Sequence, residues 1–109
     1  MFRNERLSNQ IREQSAEFFK KEASHASLIT VTHCDIDDHE KNAIVFISVL
    51  PESKENAAIG FAKRNRKSLR EFVRKNISSQ IPYLDVQIDL GEKNRQKIER
   101  ILKETGDSL

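Results

Sequence analysis

Apolar residues recur along this chain with two different periods, and the switches between them mark its elements. Leu7, Ile11, Phe18 and Phe19 fall at helical spacing, with Ser15 and Ala16 as smaller neighbours, and predict a helix over residues 4–23. SHAS at 24–27 breaks that period. LITVTHCDID, residues 28–37, alternates and is rich in β-branched side chains, which suits a strand. DDHEKN at 37–42 is a polar turn, and NAIVFISVL at 42–50 is a second strand. The second strand is nearly all apolar, so it is expected at the centre of the sheet. The short connection makes the two strands a hairpin. Pro51 ends it, because proline fixes φ and cannot donate to a ladder.

PESKE then opens a long helix, with Ser53 as the expected N-cap and Glu55 in the first turn. The stretch AAIGFAKRNRKSLREFVRKNI, residues 57–77, carries an apolar stripe of Ala58, Phe61, Ala62, Leu69, Phe72, Val73 and Ile77. Helical residues turn by roughly 100° each, so Lys63, Lys67, Arg70 and Arg74 would stack on one line, roughly 140° from that stripe. Two places threaten continuity. Gly60 costs about 1 kcal/mol against alanine inside a helix, and a kink or a close approach would account for it. KRNRKS at 63–68 lacks an inward residue for several positions. SSQIP ends the helix, since Pro82 disfavours helix at Ile81. YLDVQIDLG, residues 83–91, alternates with Leu84, Val86, Ile88 and Leu90 inward and Asp85, Gln87 and Asp89 outward, a third strand. A last helix is expected over 92–106, with Ile98, Ile101 and Leu102 inside and Gly106 as its stop. The order is α-β-β-α(-α)-β-α, an α+β layer pair.

Composition adds one fact that patterning does not. Hydrophobic residues are 37% and charged residues 33% of 109, which suits one soluble domain, and the net charge is only +2. The charge is unevenly spread. Residues 1–62 carry seven bases and ten acids, and residues 78–109 carry five bases and six acids. Residues 63–77 carry seven bases (Lys63, Arg64, Arg66, Lys67, Arg70, Arg74, Lys75) against the single acid Glu71. Such a concentration is the footprint of a phosphate-binding surface. The plain alternative is a solvated helix face. Arg3 and Arg6, near the start of the first helix, are secondary phosphate contacts or simply solvated charges.

Other chemistries find little support. One cysteine, Cys34, excludes an intramolecular disulfide and a Cys-based zinc site, and reads as a small buried hydrophobe. His39 lies in DIDDHE among Asp35, Asp37, Asp38 and Glu40, which suggests a cation site or a carboxylate–imidazole pair, but turn-favouring residues explain the same stretch. His33 is expected at the sheet surface and His25 in a loop. Gly60, Gly91 and Gly106 are too far apart for a phosphate loop. No catalytic constellation is visible, and no cofactor or metal is expected. No apolar run suits a membrane span, and MFRNERLSNQ lacks a signal core, so a cytoplasmic location is the default expectation. Tyr83 is the only tyrosine and Phe46 is expected to be buried, so no aromatic platform for stacking bases is evident.

Taken together, RLSNQIREQSAEFF, LITVTHCDIDDHEKNAIVFISVL, SLREFVRKNI, IPYLDVQIDLG and RQKIERILKE resemble the ribosome-binding factor A family, in order and spacing, from about Arg3 to Glu104. Pro82, Leu84, Val86 and Asp89 fit its Pro-x-Leu-x-hydrophobic-x-x-Asp signature. The resemblance implies a type II KH-like fold, with a short helix following, in a single domain of residues 1–109. It implies a non-enzymatic, monomeric factor that binds the free small ribosomal subunit and its ribosomal RNA, assists rRNA maturation and supports growth in the cold. KH domains clamp RNA backbone with a Gly-x-x-Gly loop between two helices. The family has an Ala-x-Gly kink there, and this chain has Arg64, Asn65 and Arg66 at the matching positions, with Gly60 a turn earlier as the other candidate bend. The family's basic residue before the proline is replaced by Ser78 and Ser79. Expected RNA contacts are Lys63, Arg64, Arg66, Lys67, Arg70, Arg74 and Lys75, with Arg3 and Arg6. The rival readings are a generic KH-like RNA binder, a protein-interaction module whose basic helix meets an acidic partner and, third, an enzyme using Asp37 and His39.

Overall fold

A computed structural model describes residues 2–78 and 80–91, with side chains from Glu5 onward. The expected helix over 92–106 lies outside the described residues. The elements run α1 (Phe2–Glu22), β1 (Leu28–Ile36), β2 (Asn42–Leu50), a 3-10 turn (Glu52–Lys54), α2 (Glu55–Arg64), α3 (Arg66–Asn76) and β3 (Tyr83–Ile88). The order α-β-β-α-α-β is the one the family resemblance implies.

The sheet order is β1-β2-β3, so the most apolar strand is central, as expected. β1 and β2 pair antiparallel, while β2 and β3 pair parallel. A parallel neighbour requires a crossover, which α2 and α3 supply. Ala43, Val45, Ile47 and Val49 of β2 all point to the helical side and are buried. Leu84 and Val86 of β3 continue that face. Full burial of each Val or Ile there contributes about 1.5–3 kcal/mol. α1 brings Leu7, Ile11 and Phe18 to the core, with Ser15 buried among them and its hydroxyl without a partner among the described residues. α2 presents the small Ala58 and Ala62, and α3 presents Leu69 and Val73.

Three local expectations change, and the choice between two candidate helix breaks is made. Ser53 does not cap a helix: Lys54 N–H bonds Pro51 O (2.9 Å), closing a 3-10 turn that includes Ser53, and α2 starts at Glu55 without a side-chain cap. The long basic helix is two helices, interrupted at Asn65 (φ −111°, ψ 18°) rather than at Gly60. Gly60 lies within α2, and a Cβ there would meet only the flexible end of the Arg64 side chain, at 3.1 Å. Phe46 is half-buried on the sheet face away from the helices and stacks on His33, centroids 4.5 Å apart.

The last change concerns the end of β3. The strand stops at Ile88, and burial no longer follows the expected alternation: Asp89 is 9% exposed and Leu90 66%. Asp89 is buried because it finds partners. Its N–H bonds Ile47 O (2.8 Å), and its carboxylate accepts the Thr32 hydroxyl (2.6 Å) and lies 3.3 Å from His33 Nδ1. Thr32 is available because the β1–β2 register slips between Val31 and His33, a bulge that re-aims it.

Candidate nucleic-acid interface

The basic surface is built by the break between α2 and α3. Asn65 N–H is shared between Phe61 O (3.0 Å) and Ala62 O (3.2 Å), and its side-chain amide also donates to Phe61 O (2.8 Å). Asn65 thereby terminates α2, while its own carbonyl accepts Leu69 N–H (2.9 Å) and starts α3. Lys63, Arg64, Arg66 and Lys67 crowd around this one residue. The break also means that Lys63 and the α3 bases do not share one helical line, as a continuous helix would have required.

The structure sorts the seven bases by partner. On the flank facing β3, Lys63 Nζ lies 2.7 Å and Arg66 Nη1 3.3 Å from the same Asp85 oxygen. That oxygen also accepts Val86 N–H (2.9 Å). Partial burial at the sheet edge pushes the Asp85 carboxyl up, but Lys63, the Val86 amide and Arg66 together hold it below its ordinary value. Arg70 donates to Pro82 O (3.1 Å) and Ile81 O (3.0 Å), fixing the entry to β3, and its guanidinium carbon sits 5.0 Å from the Tyr83 ring centroid. Arg74 pairs with Glu71 (2.8 Å), whose carboxyl is lowered by that hydrogen bond. Arg64, Lys67 and Lys75 are exposed and make no ion pair or hydrogen bond among the described residues. Lys67 and Lys75 line a shallow groove between α1 and α3, with Phe18 and Phe72 and the acids Glu22 and Glu71.

Arg6 is exposed on α1, and Arg3 lies outside the described side chains. About 18 Å of helix separates Arg6 from Phe18, where α1 meets α3 through the Phe18–Phe72 ring contact. The structure therefore gathers the seven bases of 63–75 but not Arg6. Asp85 and Tyr83 were missed as members of this surface. Their partners lie 22 and 13 positions away, and nothing in YLDVQIDLG signals them.

The sites weighed and set aside have plain structural roles. Asp37 accepts Lys41 N–H (2.9 Å) and the Asn42 amide (3.1 Å) and so closes the β1–β2 turn; the Lys41 amide, then Asn42, hold its carboxyl low. No cluster of His, Cys, Asp and Glu among the described residues suits a metal. Burial pushes the Cys34 thiol up to about 11, leaving it almost wholly protonated at neutral pH. No described helix is long and apolar enough to cross a membrane.

A family model for ribosome-binding factor A matches residues 3–102. The chain belongs to the ribosome-binding factor A family. No curated protein sequence matches it. Among solved structures it is similar to the crystal structure of ribosome-binding factor A from Thermus thermophilus, at 18% identity and a TM-score of 0.68, covering 76% of this chain and 92% of that one. It is also similar to the Thermus thermophilus factor as fitted into a cryo-EM map of a complex with the 30S subunit, at 17% identity and a TM-score of 0.65, covering 73% of this chain and 88% of that one. In this member of the ribosome-binding factor A family, the helix pair breaks at Asn65, between Arg64 and Arg66.

Proposed function

We propose that this chain is a small-subunit assembly factor that binds the free small ribosomal subunit and its ribosomal RNA through α2 and α3, and assists rRNA maturation. The observation that carries the reading is the basic segment around the helix break at Asn65, with seven bases against one acid, in which Arg64, Lys67 and Lys75 make no ion pair or hydrogen bond among the described residues. The thermophile factor fitted into a 30S complex supports it by analogy.

In this reading the chain acts in the cytoplasm as a monomeric, non-enzymatic single domain, and it supports growth in the cold. Arg64, Lys67 and Lys75 neutralise phosphates directly. Lys63, Arg66 and Arg70 hold the helix pair against β3 and add to the local potential, and Arg74 contributes after loosening from Glu71. Arg3 and Arg6 are secondary contacts. Each neutralised phosphate steepens the salt dependence by about 0.7–0.9 in log–log slope.

The test is sedimentation of cell extract through sucrose gradients at low and high salt, following the tagged chain. Co-migration with free small subunits, absence from full ribosomes and loss at high salt are expected. A chain that stays at the top of the gradient at every salt contradicts the proposal.

A further inference from the structure

Tyr83 occupies an unusual position on the basic surface. It opens β3, anchored by its N–H to Lys41 O (2.9 Å), yet it is 70% exposed. The Arg70 guanidinium backs its ring at 5.0 Å, and the same guanidinium is pinned by two carbonyls, Ile81 O and Pro82 O. Two residues along the strand, Asp85 gathers Lys63 and Arg66. The result is an exposed ring, held in place from behind by a fixed cation, on the same strand as the Asp85 carboxylate that gathers Lys63 and Arg66.

Single-stranded nucleic acid is held by this pairing of parts: cations track the backbone while an aromatic face takes a base. A guanidinium behind the ring adds a cation–π contact and keeps the ring from swinging away. An aliphatic protein anchor would instead meet a rim of cations. We infer that Tyr83 stacks an unpaired base of the RNA bound by α2 and α3, with Arg70 as the residue that positions the ring. The inference rests on the RNA-binding reading above and adds to it a recognition of unpaired nucleotides. Stacking uses the π-face that every base possesses, so the contact selects single-stranded over duplex RNA without reading sequence.

The chain has one tyrosine and no tryptophan, so intrinsic tyrosine fluorescence reports Tyr83 alone. The experiment titrates the full chain with a single-stranded oligouridylate and with inorganic polyphosphate, and measures binding of Tyr83→Ala and Tyr83→Phe to the oligonucleotide and to purified small subunits. Oligouridylate is expected to quench the fluorescence and polyphosphate to leave it unchanged. Tyr83→Ala should weaken oligonucleotide binding by about five- to a hundredfold, with an unchanged salt slope because no phosphate contact is lost. Tyr83→Phe should bind like the parent. If Tyr83 only supported Arg70, the alanine variant would lower the melting temperature and no quench would appear. Subunit binding by the parent without quenching, and with Tyr83→Ala binding equally well, overturns the stacking while leaving the helix-pair reading in place. A parent that binds neither subunits nor oligonucleotide overturns both.

Discussion

The two flanks of α3 carry the same charge but put it to different use. Facing β3, Lys63, Arg66 and Arg70 are tied to Asp85 and to the carbonyls of Ile81 and Pro82. On the outer side, Arg64, Lys67 and Lys75 have no such ties among the described residues. A cation already bonded to the protein must exchange that bond to meet a phosphate, and the exchange returns little. An uncommitted cation exchanges only water and counterions, and releasing counterions is what drives polyanion binding. In the proposed reading the tied flank therefore positions the surface, and the open flank supplies most of the phosphate contacts. A count of lysines and arginines does not distinguish these roles.

The sharpest way to separate the flanks is to reverse the open one. Arg64→Glu, Lys67→Glu and Lys75→Glu together should reduce affinity for small subunits by about a hundredfold or more and flatten the salt slope by roughly two to three units. Their melting temperature should stay close to the parent's, because exposed substitutions usually cost within about 0.5 kcal/mol each. Arg70→Ala should behave in the opposite way. It leaves two carbonyls without their donor and should cost about 1–2 kcal/mol in denaturant unfolding, with a smaller loss of binding.

Asp85→Asn tests the tie itself. Removing a partly exposed carboxylate from two cations should cost about 0.5–1 kcal/mol, yet it should tighten RNA binding by releasing Lys63 and Arg66 and deleting a negative charge. The folded-state pKa of Asp85 is lowered. Its contribution to stability is therefore fully present above the unfolded carboxyl pKa of about 3.9 and is lost as pH falls through the folded value. The melting-temperature gap between parent and Asp85→Asn should close as pH drops below about 4. The smallest effect is expected at Gly60→Ala. The added methyl meets only the far end of the Arg64 side chain, so the variant should gain up to about 1 kcal/mol from helix propensity and move that guanidinium without changing the Asn65 break.

The helices, the strands and their order were legible in the sequence because each depends on local periodicity. The central place of β2 followed from its nearly continuous apolar run. The failures on the sheet and at the basic surface involve partners distant in sequence. The Thr32 hydroxyl that buries Asp89 lies 57 positions away, so alternation alone could not tell that Asp89 would be buried and Leu90 exposed. Two candidate breaks were visible in 57–77, but periodicity could not choose between a tolerated glycine and an asparagine whose side chain ends α2 on Phe61 O. The seven bases of the basic surface were legible as a charge concentration. Their division into tied and open flanks was not, because Asp85 and the 81–82 carbonyls are brought to the helix pair only by the crossover to β3.

The most direct test of the account is co-sedimentation of purified free small subunits with two variants. One is the open-flank triple reversal; the other replaces Lys63 and Arg66 by glutamine. The account predicts that the triple reversal loses the subunit at low salt while keeping its melting temperature, and that the Lys63→Gln, Arg66→Gln variant still binds. Binding retained by the triple reversal and lost by the double glutamine variant would contradict it, and would make Lys63 and Arg66 the main phosphate contacts.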